Sequence, residues 1–526
     1  MIEPFNQDAF PQFDVQSVAK EDILTPLLEF FTKENYSHAE GKSSMVENEF
    51  LSKYFYFRNY LADIFRKDIF LVRGYKGTGK TLIYNALQNK EFTKKLASVY
   101  NINSNYTFLN IVTYNKYPQL GSNNYSHLTL GLPEATYYKR FWVVYVWNEI
   151  MTRANINYLS NLATITISND ELTRREIEKL MQTDTFLKIE KDLQAIDKLL
   201  KEKEDKLVIS FDYLDDIIPL QTWDKANNAI ATLMDWCRTL PYDNIYPKMF
   251  LRTDLYHRIH GNVNKKGLEN KILSLEWSSD ELYAYFFKIV YVKTKDKFIN
   301  WLFSQNDAEK ANYIFNIKQL LDNNNGQITL ENKDVLEFLV INFFGEYTDA
   351  RNPNFRTYNW FYENLKSAND VISLRPFIAL LQKAITDAKK IRGFMLDNKQ
   401  PLLSGQFFAS YEAREYAAEQ HFIDITREKD DLIKKFATTM RGNNPALNSF
   451  RRMSLDEYDM KALIAKIYEL NGDNAERREK WRPMLEKLEE VGIIKQNASI
   501  RATYSFAFLY KFYLRLEGNP SGNRKR

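Results

Sequence analysis

The chain has a single cysteine, Cys237, in 526 residues, so no disulfide can form within it. That agrees with a reducing compartment and argues against a disulfide-stapled scaffold. Long apolar runs are missing too. The most apolar short stretch, Phe141-Trp-Val-Val-Tyr-Val-Trp147, falls far below the ~20 residues that span a bilayer. The opening residues, Met1-Ile-Glu-Pro-Phe-Asn-Gln-Asp8, hold no basic segment leading into an apolar one, so no export signal is expected. These absences predict a soluble cytoplasmic protein with no membrane partner. Charge of one sign is also lacking. The 72 Lys and Arg against 68 Asp and Glu leave a net charge of +4, which by itself implies no polyanionic partner.

What is present is ample material for packed cores, with 44% hydrophobic and 15% aromatic residues. A chain of this length is expected to form more than one domain. Against that background, Gly74-Tyr75-Lys76-Gly77-Thr78-Gly79-Lys80-Thr81 matches the phosphate-binding loop G-x-x-x-x-G-K-[ST]. The context suits it. Asp68-Ile-Phe-Leu-Val-Arg73 before it predicts a short buried strand, and Thr81 to Leu87 after it predicts a helix. Glycines let successive N–H groups turn toward phosphate oxygens, and the helix N-terminus adds its positive end. In that setting Lys80 reaches the β- and γ-phosphates, and the Thr81 hydroxyl ligates Mg²⁺.

A nucleotide site also needs an acid at a neighbouring strand end. Leu207 to Phe211 reads as a buried parallel strand, a near-continuous apolar run. It ends in Asp212, with Asp215 and Asp216 just beyond. Asp212 is the expected Mg²⁺-side carboxylate, and Asp215 or Asp216 is the candidate to polarise the attacking water. A third strand, Tyr246 to Asp254, carries Arg252. That arginine either stabilises charge on the transferred phosphoryl group or pairs structurally with Asp212 or Asp254.

Taken together, Gly74–Thr81, Phe211-Asp-Tyr-Leu-Asp-Asp216 and Phe250-Leu-Arg-Thr-Asp254 resemble bacterial P-loop ATPases of the STAND/KAP-like, AAA-related type. The likeness covers roughly residues 47–280; beyond them it is only an arrangement of helices. It implies an α/β fold, a P-loop NTPase parallel sheet covered by helices, followed by a helical lid and a C-terminal winged-helix-like module. It implies ATP and Mg²⁺ as cofactors, and regulated switching of the kind found in bacterial conflict or phage defence. In such proteins the strand after the Mg²⁺-binding acid ends in a polar sensor of the γ-phosphate, the place of Arg252. The lid sets an arginine over the nucleotide, and Arg375 is the candidate. One departure stands out. Family members often carry Asp-Glu where this chain has Asp215-Asp216, and a shorter carboxylate reaches less far, so slow hydrolysis is expected.

The remaining pattern predicts an N-terminal arm over 1–46, including a short amphipathic piece at Ile23–Phe31. An ATPase core is expected over 47–280, opening with a helix over 47–66, with an inserted helical segment at about 155–205. Within that insert, residues 168–205 are rich in Glu, Lys and Leu and read as a solvated helical hairpin. A helical lid is expected over 281–450, a winged-helix-like domain over 451–517, and a frayed tail over 518–526. Ser278-x-x-Glu281 and Ser454-x-x-Glu457 both match the helix-opening capping box. From Glu476 to Glu490 five acids balance five bases. That favours a protein contact over duplex DNA. The expected partner is therefore an unidentified protein or a second copy of the chain, with nucleic acid as the alternative. His257 and His260 are three apart without an evident third ligand, which points away from a metal site. Trp142 and Trp147 read as core rather than as a platform for bases.

Overall fold

A computed structural model describes residues 18–33, 48–103, 105–112, 130–168, 170–217, 223–259, 265–349, 355–426, 431–473, 481–497 and 502–517. The chain forms two compact units, Tyr36–Leu275 and a second made of Met1–Asn35 with Glu276–Arg526.

The buried apolar runs of the first unit become five parallel strands. They are β1 (Leu71–Gly74), β2 (Asn105–Asn110), β3 (Asp205–Phe211), β4 (Ile245–Arg252) and β5 (Ile272–Ser274), in the order β2-β3-β4-β1-β5. Side chains alternate across each strand, so neighbours in register share a face. Val72 lies opposite Phe250, and both join Val208, Ile83 and Phe92 on one side of the sheet. Leu71 lies opposite Met249, and both join Ile209, Trp142 and Ile230 on the other. Both faces are therefore covered, as a parallel sheet requires. This is the α/β architecture of a P-loop nucleotide-binding domain.

The helix Glu134–Arg153 is buried on every side along most of its length. Trp142 donates its indole N–H to the Ala229 carbonyl at 2.8 Å, and Trp147 donates to Asp192 at 3.0 Å. Both rings are core, as their apolar setting predicts. Two sequence expectations need correcting. The hairpin Glu171–Leu180 and Thr183–Glu202 is not a solvated appendage. Phe186, Ile189, Leu193, Ile196 and Leu200 recur at helical spacing and enter the same core as Trp142. Most of the charges that suggested solvation occupy the outer face, while Glu178 and Asp192 are buried. Asp192 on that hairpin also accepts from Tyr158 at 2.7 Å and Ser160 at 2.5 Å, which ties down the segment before it. Residues 48–65 are not one helix either. A helix at Asn48–Lys53 and a 3₁₀ turn at Asn59–Phe65 flank an extended stretch.

In the second unit, the helix Lys20–Lys33 buries Ile23, Leu24 and Leu27, and stacks Phe31 on Phe286 at 6.4 Å. The helix Ser279–Thr294 opens on the Ser278–Glu281 capping box, both hydrogen bonds being formed. The other expected box is not formed. Ser454 lies in β6 (Ser454–Asp456), and Asp456 caps the helix Glu457–Leu470 by accepting from the Asp459 N–H. Pairing with β8 (Thr503–Phe506) holds Ser454 extended, so the cap falls two residues later. With β7 (Ile494–Asn497) these strands form an antiparallel sheet ordered β6-β8-β7. The helix Arg482–Glu490 precedes β7 and takes Pro483 in its first turn, where a missing N–H is harmless. Among the described residues, no helix is long and apolar enough to cross a membrane.

Candidate nucleotide-binding site

The register of the sheet decides which residues meet at its carboxyl edge. Gly74 lies opposite Arg252, and Met249 of the same strand lies opposite Phe211. Strand β4 thus sits between the strand that feeds the glycine loop and the strand that ends in Asp212. Loops at the carboxyl ends of such strands form the crevice where open α/β sheets bind ligands.

Gly77 and Gly79 take positive φ values of 82° and 96°, a conformation that side-chain-bearing residues rarely adopt. That curl ends in the helix Lys80–Ala86, with Gly79 as its cap. Thr78 is buried and donates its hydroxyl to the Tyr75 carbonyl at 2.8 Å, fixing the turn; Lys76 lies in the same loop, part-exposed. Lys80 folds back under the loop and donates to the carbonyls of Gly74 at 2.8 Å and Tyr75 at 2.9 Å. Gly74 is needed for a different reason. A Cβ there would meet the Thr78 hydroxyl oxygen at 2.4 Å and the Leu275 Cβ at 3.3 Å. Gly74→Ala is therefore expected to open the loop and weaken nucleotide affinity about tenfold or more, with a far smaller change in thermal midpoint. Titration of a fluorescent ATP analogue beside a melting curve checks this.

Across the crevice, Thr81 donates its hydroxyl to Asp212 at 3.1 Å. The Asp212 carboxyl is pushed up to about 7 by burial and by the neighbouring Asp215, against the opposing charge of Lys80. Burial in turn pushes the Lys80 ammonium down to about 8, against the attraction of Asp212. Tyr213, next along the chain, has a positive φ of 56° and sets its ring against Tyr84 at 5.9 Å. Tyr84 donates its hydroxyl to the carbonyls of Val112 and Ser210. This tyrosine was not singled out from the sequence. Its one legible signal is a hydroxyl on the apolar face of the helix that leaves the loop.

Arg252 is held by two carboxylates. It donates to Asp254 at 2.6 and 3.0 Å and to Asp215 at 3.4 Å. Both partners of the closer pair are largely buried, with side chains 15% and 8% exposed. Of the two acids named by the sequence, Asp254 is the one that pairs with it. Asp215 is thereby drawn toward Arg252, while Asp216 sits on the same short helix, Leu214–Ile217, its side chain outside those described. Arg375 belongs to the second unit, in the first turn of the helix Leu374–Lys389. His260 lies outside the described residues. Arg252→Ala removes the doubly hydrogen-bonded partner of a largely buried carboxylate, a loss of about 3 kcal/mol. The double variant Arg252→Leu/Asp254→Leu should recover most of that stability without recovering turnover. Chemical denaturation of the three proteins measures it.

The donors present suit a magnesium nucleotide. A hydroxyl and a carboxyl face each other where a cation would take the place of the carboxyl proton, and the Lys80 ammonium lies beneath the loop.

No protein-family model matches the chain, and no curated protein matches it. Solved structures do. The chain is similar to the ORC2 protein of Aeropyrum pernix in its ADPNP–ADP complexes, at 11% identity and a TM-score of 0.37, over 87% of this chain and 90% of that one. It is similar to the Aeropyrum pernix ORC1 protein in complex with DNA, at 11% identity and a TM-score of 0.35, over 89% and 94%. It is also similar to Cdc6p from Pyrobaculum aerophilum, at 10% identity and a TM-score of 0.26, over 91% and 98%.

Proposed function

We propose that the chain is a Mg²⁺-dependent ATPase with slow turnover that acts as a nucleotide-driven conformational switch. The observation that carries this is the Thr81–Asp212 contact at 3.1 Å beside the glycine loop, with Lys80 lodged beneath it. On binding, Lys80 exchanges its two loop carbonyls for phosphate oxygens. Thr81 and Asp212 would hold the metal ion, which would supply positive charge against the charge that develops on transfer. Asp215 or Asp216 orients water. Arg252 stabilises the departing charge, and its grip on Asp215 couples the two. A role in conflict or defence, suggested by the family resemblance, is part of the same proposal and rests on that resemblance alone.

The test is ATP hydrolysis by pure protein, with and without DNA, beside Lys80→Ala, Asp212→Asn and Arg375→Ala. Turnover that persists in the first two variants would sink the reading. A non-hydrolysing sensor is the second reading, favoured by Asp215 being engaged with Arg252 at 3.4 Å. Tight ATP binding with no turnover would select it. A third reading, a DNA-associated ATPase, rests on the strand–helix–strand order of residues 454–506. Stimulation of turnover by DNA would support it, and no binding at low salt would remove it.

The site also predicts a pH profile. The Asp212 proton must leave before a metal ion enters, so Mg²⁺-nucleotide affinity falls as pH drops below about 7. The Lys80 charge in the empty loop is lost as pH rises past about 8, which weakens phosphate capture. Affinity is therefore expected to peak between those values. Calorimetry in buffers of different ionisation enthalpy should show proton release on binding at pH 6.5 that vanishes in Asp212→Asn.

A further inference from the structure

Within the second unit, Arg414 is placed where a cation gains least. It lies in the opening turns of the helix Tyr411–Thr426, whose N-terminal end is the positive one. Its guanidinium is 4.1 Å from the centre of the Phe512 ring, 4.9 Å from Phe508 and 5.6 Å from Trp360. Among the described residues its side chain makes one hydrogen bond, to Asn364 Oδ1 at 2.6 Å. Lys511 stands over the same two phenylalanines, 5.0 Å from Phe508 and 5.5 Å from Phe512. Among the described residues, neither cation forms an ion pair. Arg441, by contrast, reaches Glu415 and Glu419 on this very helix.

Two like charges held together without an acid are destabilising unless something else neutralises them. Burial pushes Arg414 down to about 10, and burial with the charge of Arg414 pushes Lys511 below its ordinary value. The rings beside them are not sealed away: Tyr411 is 44% exposed and Phe508 is 37% exposed. Aromatic rings around an arginine are the composition of an interface anchor.

We propose that this surface docks a short acidic and apolar segment of a partner protein, its carboxylate received by Arg414 and Lys511 and its apolar side chain by Tyr411 and Phe508. A nucleic acid fits less well. Its backbone calls for a train of cations, whereas here Arg414 shares its helix with Glu412, Glu415 and Glu419, and Lys511 joins it from the segment that follows Phe508–Tyr510. The carboxylate would complete the fork of Arg414 that Asn364 occupies only in part.

The experiment probes an array of short peptides with the labelled full chain. The peptides combine Asp or Glu with Phe, Leu or Trp, beside copies in which Asn and Gln replace the acids. Acidic peptides are expected to bind and their neutral copies to fail. By fluorescence anisotropy on the strongest peptide, Arg414→Gln and Lys511→Gln should each weaken binding about tenfold or more. Lys511→Gln leaves the Asn364 hydrogen bond intact, so its thermal midpoint should equal or exceed that of the unaltered chain. Acidic peptides that bind no better than neutral ones would overturn the proposal, as would binding indifferent to both substitutions. A labelled single-stranded oligonucleotide that binds and is lost in the same variants would overturn it in favour of nucleic acid.

Discussion

Lys80→Ala is expected to abolish ATP turnover, by about a hundredfold or more, and to remove most nucleotide affinity. Phosphoryl transfer asks little covalent chemistry of a protein, so positioning and charge carry nearly all of it. Lys80 is the loop cation that folds back beneath it, whereas Lys76 lies part-exposed along it. In the empty site it is held by the carbonyls of Gly74 and Tyr75, partners that are dispensable to the fold because the loop's own turn, through Thr78 and Tyr75, remains. The variant should thus melt within a few degrees of the unaltered chain. Loss of turnover with an intact melting curve would place the effect in the site. Loss of both would instead mean that Lys80 supports the loop, and Lys80→Met, which keeps the stem, would then separate packing from charge.

Asp212→Asn is expected to act in opposite directions on function and stability. Turnover should fall about a hundredfold, because an amide cannot replace the carboxylate on the metal. The empty protein should become more stable. Burial and Asp215 raise the Asp212 carboxyl to about 7 from its ordinary 3.8. A raised acid gives the folded state its full benefit only below about 3.8, and that benefit is lost as pH rises toward 7. Above 7 the ionised carboxylate is a constant penalty. Asparagine has no such penalty, so the gain in thermal midpoint should be largest at pH 8 and shrink toward pH 4. Excess Mg²⁺ and ATP should stabilise the unaltered chain and narrow the difference. A variant that melts lower at pH 8 would show that the carboxylate is a structural partner of Thr81 rather than a metal ligand in waiting.

The P-loop was legible because its chemistry is local. Eight consecutive residues contain the turn, the cation and the hydroxyl, and the strand and helix around them follow from short apolar patterns. Asp212 was legible because the buried run before it ends abruptly in a carboxylate. Arg252 was visible only as an alternative, since its environment depends on residues 37 positions away as well as on near neighbours such as Asp254. The helix Thr183–Glu202 misled for a related reason. Its many charges drew the reading outward, while one stripe spaced as Phe186, Ile189, Leu193, Ile196 and Leu200 was enough to bury it. At Ser454 a local cap pattern lost to strand pairing, because a ladder of backbone hydrogen bonds outweighs one side-chain cap.

By itself the sequence determined the glycine-rich turn before a helix, the carboxylate at the end of a buried strand, and the alternation of strands and helices, since each depends on residues within a few positions of one another. The order β2-β3-β4-β1-β5 was decided by the tertiary structure. Strands buried on both faces carry apolar runs too alike to specify their neighbours, and only packing of the whole sheet chooses among them. That choice puts Thr81 on Asp212, though 131 residues separate them. It also sets Arg252 between Asp215 and Asp254, and the burial that results moves Lys80 and Asp212 toward neutrality.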